Sequence, residues 1–190
     1  MATGTLNEAR FKNTVLAILK THPGLGSVQV RKSLIIADAL RNALFGESLT
    51  GARYVKDRYG PVPDRNAYNL LNKMHLEECL IDIIEEAEGP YTKNSFFALK
   101  DPDPFVFSEE EDKIIRFAAD VALKYSATLL SYMTHDDTYN NTPMGGEIPL
   151  DRVCTMTLTG PFDTPTFTED EKINLIKVLS SDDIRKYTFV

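Results

Sequence analysis

Apolar side chains at Phe11, Val15, Ile18 and Leu19 recur at the spacing of one helical face. Thr5 followed three residues later by Glu8 reads as a capping box for that helix. His22, Pro23 and Gly24 end it, since proline cannot continue a helix and glycine releases the backbone. Ser27 is placed to cap a second helix through about Phe45, with Val30, Leu34, Ala37, Leu40 and Leu44 on one side and Gly46 as its stop. The run Leu34 to Ala37 widens that face, which predicts a helix central to the core.

Thr50 is read as the cap of a short third helix through about Arg58. Tyr59, Gly60, Pro61, Val62 and Pro63 then form a bend, because each proline restricts the residue before it. Asp64 restarts a helix through Leu70, Leu71, Met74 and Leu76. The period then changes. Cys79 to Ile84 and Ser95 to Leu99 are rich in β-branched and aromatic residues around a turn signal, Glu88, Gly89 and Pro90, which predicts a β-hairpin with a fairly long loop. Helices followed by a hairpin suggest a winged-helix-like first half.

The stiff polar stretch Asp101 to Pro104 is the best boundary in the chain, separating residues 1–104 from a second helical segment, 105–190, that packs on the first. Ser108 and Glu111 make a second capping box before Ile114, Ile115, Phe117, Ala118 and Val121. Ser126 caps a helix carrying Leu129, Leu130 and Met133. Asp136 to Pro149 reads as loop, a brief helix runs from Pro149 through Val153, and Thr168 with Glu171 opens a last helix through Ile173, Ile176 and Leu179. The expected fold class is mainly α with one β-hairpin, an α+β arrangement in a compact helical domain.

Composition changes this picture little: 190 residues, 43% hydrophobic and 26% charged, suit a globular chain that buries a core unaided. No apolar run approaches the roughly 20 residues of a membrane span. Met1 to Arg10 lacks the basic and apolar regions of a signal peptide, so a cytoplasmic protein is expected. In that setting Cys79 and Cys154 read as buried thiols, and the sequon Asn140, Asn141, Thr142 carries no chemistry. Charge is uneven. Residues 1–65 hold ten Lys or Arg against five Asp or Glu, and residues 66–190 hold eleven against twenty-three, giving +5 and −12. The acidic remainder disfavours non-specific nucleic-acid binding.

Candidate chemistry is sparse. His22 lies at a helix end and His75 within a helix beside Met74 and Leu76. His135, Asp136 and Asp137 are the one cluster that looks like a site, yet adjacent side chains diverge and no further ligands complete a metal shell. A structural role is favoured there, with a cationic His135 suiting a helix end. No nucleophile elbow, phosphate loop or dinucleotide fingerprint is present. The pattern therefore favours a binding protein without catalysis, and no cofactor is expected.

More specific are Lys32 to Asp38, Leu49 to Tyr54, and Tyr59 to Pro63, followed by Phe107 to Glu111, Tyr125 to Ala127, Leu130 and Ser131, Thr134 to Asp136, and Gly146 to Leu150. In this order they resemble the Panacea family, the SocA-like or GepA-like proteins of bacteria, phages and prophages, over about residues 10–155. Two departures stand out: Ser33, Leu34 and Ile35 occupy a place where members often carry an aromatic, and Tyr139 fills that of a tryptophan. The resemblance implies an antitoxin-type protein that neutralises a cognate toxin protein by direct contact, and in one member serves as an adaptor to a protease. Tyr54, Tyr59, Gly60, Pro61, Pro63, His135 and Asp136 are the motif residues and candidate partner contacts. A DNA-binding autoregulator acting on operator DNA, and a metal-dependent hydrolase using His135 and Asp136, are the alternatives.

Overall fold

The computed structural model describes residues 5–88, 90–135 and 137–150. Helix α1, Glu8–Thr21, starts one residue after Asn7, whose side chain accepts from the Arg10 amide at 3.1 Å. Asn7, not Thr5, is the cap, and its own amide donates to Thr50 O at 2.8 Å, which fixes where the helix begins. Phe11, Val15, Ile18 and Leu19 are fully buried, as their spacing predicts.

A two-residue strand β1, Leu25–Gly26, leads into α2, Ser27–Phe45, which ends at Gly46 with a left-handed backbone (φ 81°). Helix α2 is the centre of the fold. It buries Val30, Leu34, Ala37, Leu40 and Leu44, and in addition Lys32, Ser33 and Asp38.

The segment after Thr50 is not the expected helix. It forms strand β2, Tyr54–Asp57, which turns through Arg58 and Tyr59 into β3, Gly60–Pro63. The expected bend is thus the return strand of a tight hairpin. Two prolines fit in β3 because of the register. Tyr54 and Lys56, opposite Pro63 and Pro61, turn their backbones away from β3: Ile148 N donates to Tyr54 O, and Lys56 N donates to Gly146 O, both at 2.8 Å. Pro61 and Pro63 therefore stand at positions where the ladder asks for no N–H.

Asp64 caps α3, Arg65–Leu76, accepting from the amides of Asn66 and Ala67 at 3.1 and 3.0 Å. Leu70, Leu71 and Met74 face the core, while Leu76, expected on that face, is 73% exposed at the helix end. Cys79, expected to be buried, is exposed on a left-handed turn (φ 50°) that redirects the chain into β4; Cys154 lies outside the described residues.

Strands β4, Ile81–Glu88, and β5, Tyr91–Ala98, pair antiparallel along their whole length, so the connection is much shorter than expected. β1 adds to the far side of β5, giving the order β1-β5-β4. Helices α1 to α3 with this sheet follow the order of a winged helix, with the β2–β3 hairpin inserted between α2 and α3.

Helix α4, Glu109–Lys124, packs on α2 and α1 and buries Ile114, Ile115, Phe117, Ala118 and Val121. Ser108 and Glu111 cap it reciprocally, with Glu111 N donating to Ser108 Oγ and Ser108 N donating to the Glu111 carboxylate. The same carboxylate takes Arg10 of α1 at 2.6 Å and Arg41 of α2 at 3.2 Å. Ser126 caps α5, Ala127–Met133, which buries Leu130. A short α6, Asp137–Asn141, stands where loop is expected. The proposed helices after Pro149 fall almost wholly, and that after Thr168 wholly, outside the described residues.

Because Glu111 serves three elements at once, Glu111→Ala is expected to lower unfolding free energy by about 2 kcal/mol in urea denaturation. Glu110→Ala, one position away in solvent, should have a far smaller effect.

Candidate functional site

Buried polar groups on α2 converge with the β2–β3 hairpin at two places. The first is Asp38, which is fully buried. Its Oδ1 accepts the Thr50 amide at 2.7 Å, and its Oδ2 accepts the hydroxyls of Thr50 at 2.6 Å and Tyr54 at 2.7 Å. Burial pushes the Asp38 carboxyl up, and the donors from Thr50 and Tyr54 pull against that shift. Burial, and then the facing carboxylate, push the Tyr54 phenol well above its usual value, so it stays a donor.

The second is Lys32, 2% exposed, whose Nζ donates to Pro61 O at 3.1 Å and to Thr134 Oγ1 at 2.9 Å. The Thr134 hydroxyl in turn donates to Ser131 O at 2.9 Å. Burial lowers the Lys32 amine to about 7; neighbouring Arg31 adds to the shift and Asp57 opposes it. Gly60 makes this approach feasible. It has φ +98°, and a Cβ there would lie 2.5 Å from Lys32 Nζ and also clash with Thr134 Oγ1.

His135 packs beside this point, stacked on Tyr139 with ring centroids 4.2 Å apart. The Tyr139 hydroxyl donates to Asp57 O at 2.6 Å, holding the hairpin turn from outside. Lys56 Nζ lies 4.5 Å from the centre of the Tyr139 ring. The His135 Nε2 is buried and has no hydrogen-bond partner among the described residues. Burial first, then Lys32 and Lys56, lower its pKa. This corrects the expectation of a cationic His135: burial, with two lysines nearby, favours the neutral ring.

Of the sequence-nominated residues, Tyr54, Gly60, Pro61 and Pro63 are buried at the base and return of the hairpin, and Tyr59 is 58% exposed at its tip against Arg58. His135 joins them; Asp136 lies outside the described residues. His22 is elsewhere, paired with Asp120 at 2.5 Å, and His75 Nδ1 stands 3.3 Å from Ile81 O. Among the described residues no group of three or more His, Cys, Asp or Glu is placed to hold a metal. Sequence reasoning did not nominate Lys32, Asp38, Thr50 or Thr134. The available signal was two charges, Lys32 and Asp38, flanking the most apolar stretch of a helix otherwise read as core.

Fold and site define a small α+β protein whose exposed hairpin tip is held by polar groups buried in its central helix. The family model for the SocA-like antitoxin, Panacea domain, matches residues 30–140. The chain belongs to that family. No curated protein and no solved structure matches it. The family implies a toxin as partner in general terms. No described helix is long and apolar enough to cross a membrane.

Asp38→Ala would leave the Thr50 amide and two hydroxyls buried without an acceptor, and should cost about 3–5 kcal/mol of unfolding free energy. Tyr54→Phe, which removes one of three donors, should cost about 1–2 kcal/mol.

The unfolded Lys32 amine holds its proton up to its usual 10.5, whereas the folded one releases it near 7. Stability from this site is therefore complete above 10.5 and is lost as pH falls toward 7. Relative to Lys32→Met, the wild-type protein should gain about 1 kcal/mol per pH unit between pH 7.5 and 9.5 in urea denaturation. A difference that stays flat with pH would show an amine of ordinary pKa.

Proposed function

We propose that this protein neutralises a cognate toxin by direct protein–protein contact, with the β2–β3 hairpin tip as part of the contact. The observation that carries the reading is the family match, whose residues 30–140 include both attachments of the hairpin to α2. Tyr59 is the motif residue available to a partner: it is aromatic, exposed and mounted on a turn braced by Tyr139 and Lys32. Aromatic side chains on pre-organised turns are effective anchors because little freedom is lost on binding.

Co-expression with the product of the adjacent reading frame tests this. Growth arrest by that product should be relieved and the two chains should co-elute, while Tyr59→Ala should weaken the complex about tenfold without changing thermal stability. Arrest that persists at full expression removes the reading. The toxin's half-life separates blocking from delivery to a protease: unchanged levels mean blocking, and shortened ones mean an adaptor.

Binding to operator DNA is a second reading, favoured by the winged-helix order of elements, with α3 as the groove helix. The acidic residues Asp82, Glu85 and Glu86 on β4 weigh against it, since a wing of that charge repels phosphate. A sequence-dependent gel shift at physiological salt would support it.

A further inference from the structure

We infer that the outer edge of β4, from Ile83 to Ala87, is a strand-addition site that takes an extended, basic segment of the bound partner. This rests on the toxin-binding reading and specifies where and how part of that contact is made.

β4 is an edge strand in the order β1-β5-β4. Its free side is identified by the ladder. Gly24 N donates to Phe96 O at 2.8 Å, so Phe96 turns its backbone toward β1 and away from β4. Its partner Ile83 must then turn outward, and with it Ile81, Glu85 and Ala87, which alternate along the strand. At the core end this edge is occupied: His75 covers Ile81 O, and the Asp82 side chain accepts the Ile83 amide at 2.9 Å. Beyond that, Ile83 O and both backbone groups of Glu85 and Ala87 hydrogen-bond to none of the described residues. Residues 84–87 are exposed, so water reaches both faces of the strand.

Such an edge is a template for another strand, and its side chains decide which strand is accepted. Glu85 and Glu86 point to opposite faces, and neither is engaged in an ion pair among the described residues. A second copy of this chain pairing here would set these carboxylates against their own counterparts, which is unfavourable. A strand carrying Lys or Arg would meet opposite charge on both faces, and Ile84, 45% exposed, offers an apolar neighbour on the face of Glu86.

The test uses the full chain and fluorescence anisotropy with two labelled twelve-residue probes. One alternates Lys and Val; the other has the same sequence with every backbone amide N-methylated, keeping the charge while abolishing strand hydrogen bonding. Wild-type protein should bind the unmethylated probe at least tenfold more tightly than the methylated one, and more weakly as salt rises. Glu85→Pro removes one outward N–H at an edge position that tolerates proline, and should weaken binding at least tenfold with unchanged circular dichroism. The double variant Glu85→Lys, Glu86→Lys keeps the backbone and should weaken it equally. Equal affinity for both probes, or for wild type and Glu85→Pro, overturns the inference. Toxin neutralisation that survives both variants undiminished also overturns it, while leaving the proposed function standing. If the probe binds as described but no toxin is neutralised by wild type, the edge site stands and the toxin reading falls.

Discussion

The carboxylate of Asp38, in the middle of the central helix, is the constraint on which the rest of the structure depends. Burying an ionisable acid is unfavourable unless its oxygens are filled. Here the donors come from Thr50 and Tyr54, 12 and 16 residues further along the chain. Meeting that demand fixes the path after α2: Thr50 is drawn back over the helix, its carbonyl receives Asn7 and so positions the start of α1, and Tyr54 sets the first residue of β2. One buried acid thereby orders the N-terminal segment, the loop after α2 and the base of the hairpin. Gly51 is part of the same junction, since any Cβ there would collide with the Thr5 backbone.

Lys32 completes the arrangement from the other end of the hairpin. A two-stranded ribbon is marginal in water by itself. β2–β3 buries Tyr54, Pro61 and Pro63, and is held further by the Tyr54 hydroxyl at its entry and the Pro61 carbonyl on its return, with Tyr139 bracing the turn. A lysine whose amine burial lowers to about 7 is the cost of that second attachment.

The helices were legible in the sequence because their signals are local. Phe11 to Leu19, Val30 to Leu44 and Ile114 to Val121 keep one period, and Ser108 with Glu111 marks a start that nothing distant contradicts. The SocA-like resemblance was legible for a different reason: its motifs are short and ordered. What escaped was set by contacts far along the chain. Thr50 looks like a helix cap, and its hydroxyl does accept the Ala52 amide, but by donating to Asp38 it also ties the chain back to α2, and the segment continues into β2 rather than a helix. Pro61 and Pro63 argue against a strand until the register shows their missing amides facing away from the ladder. His135 looks cationic at a helix end, and only the fold buries it and brings Lys32 and Lys56 near, which together lower its pKa. Lys32 and Asp38 were passed over as site residues for the same reason: a buried charge shows itself only through its partners.

This division of labour also separates stability from recognition. The motif's polar groups face inward, so changing Asp38 or Lys32 alters how firmly the hairpin is held before it alters what the hairpin touches. Tyr59 and the edge of β4 face outward and satisfy no buried group, so they are free to vary with the partner at little cost to the fold. The tip is pre-organised by internal hydrogen bonds, so a partner spends little of its binding energy on ordering it. An open strand edge adds backbone hydrogen bonds that do not depend on the partner's side chains, leaving charge to discriminate among candidates.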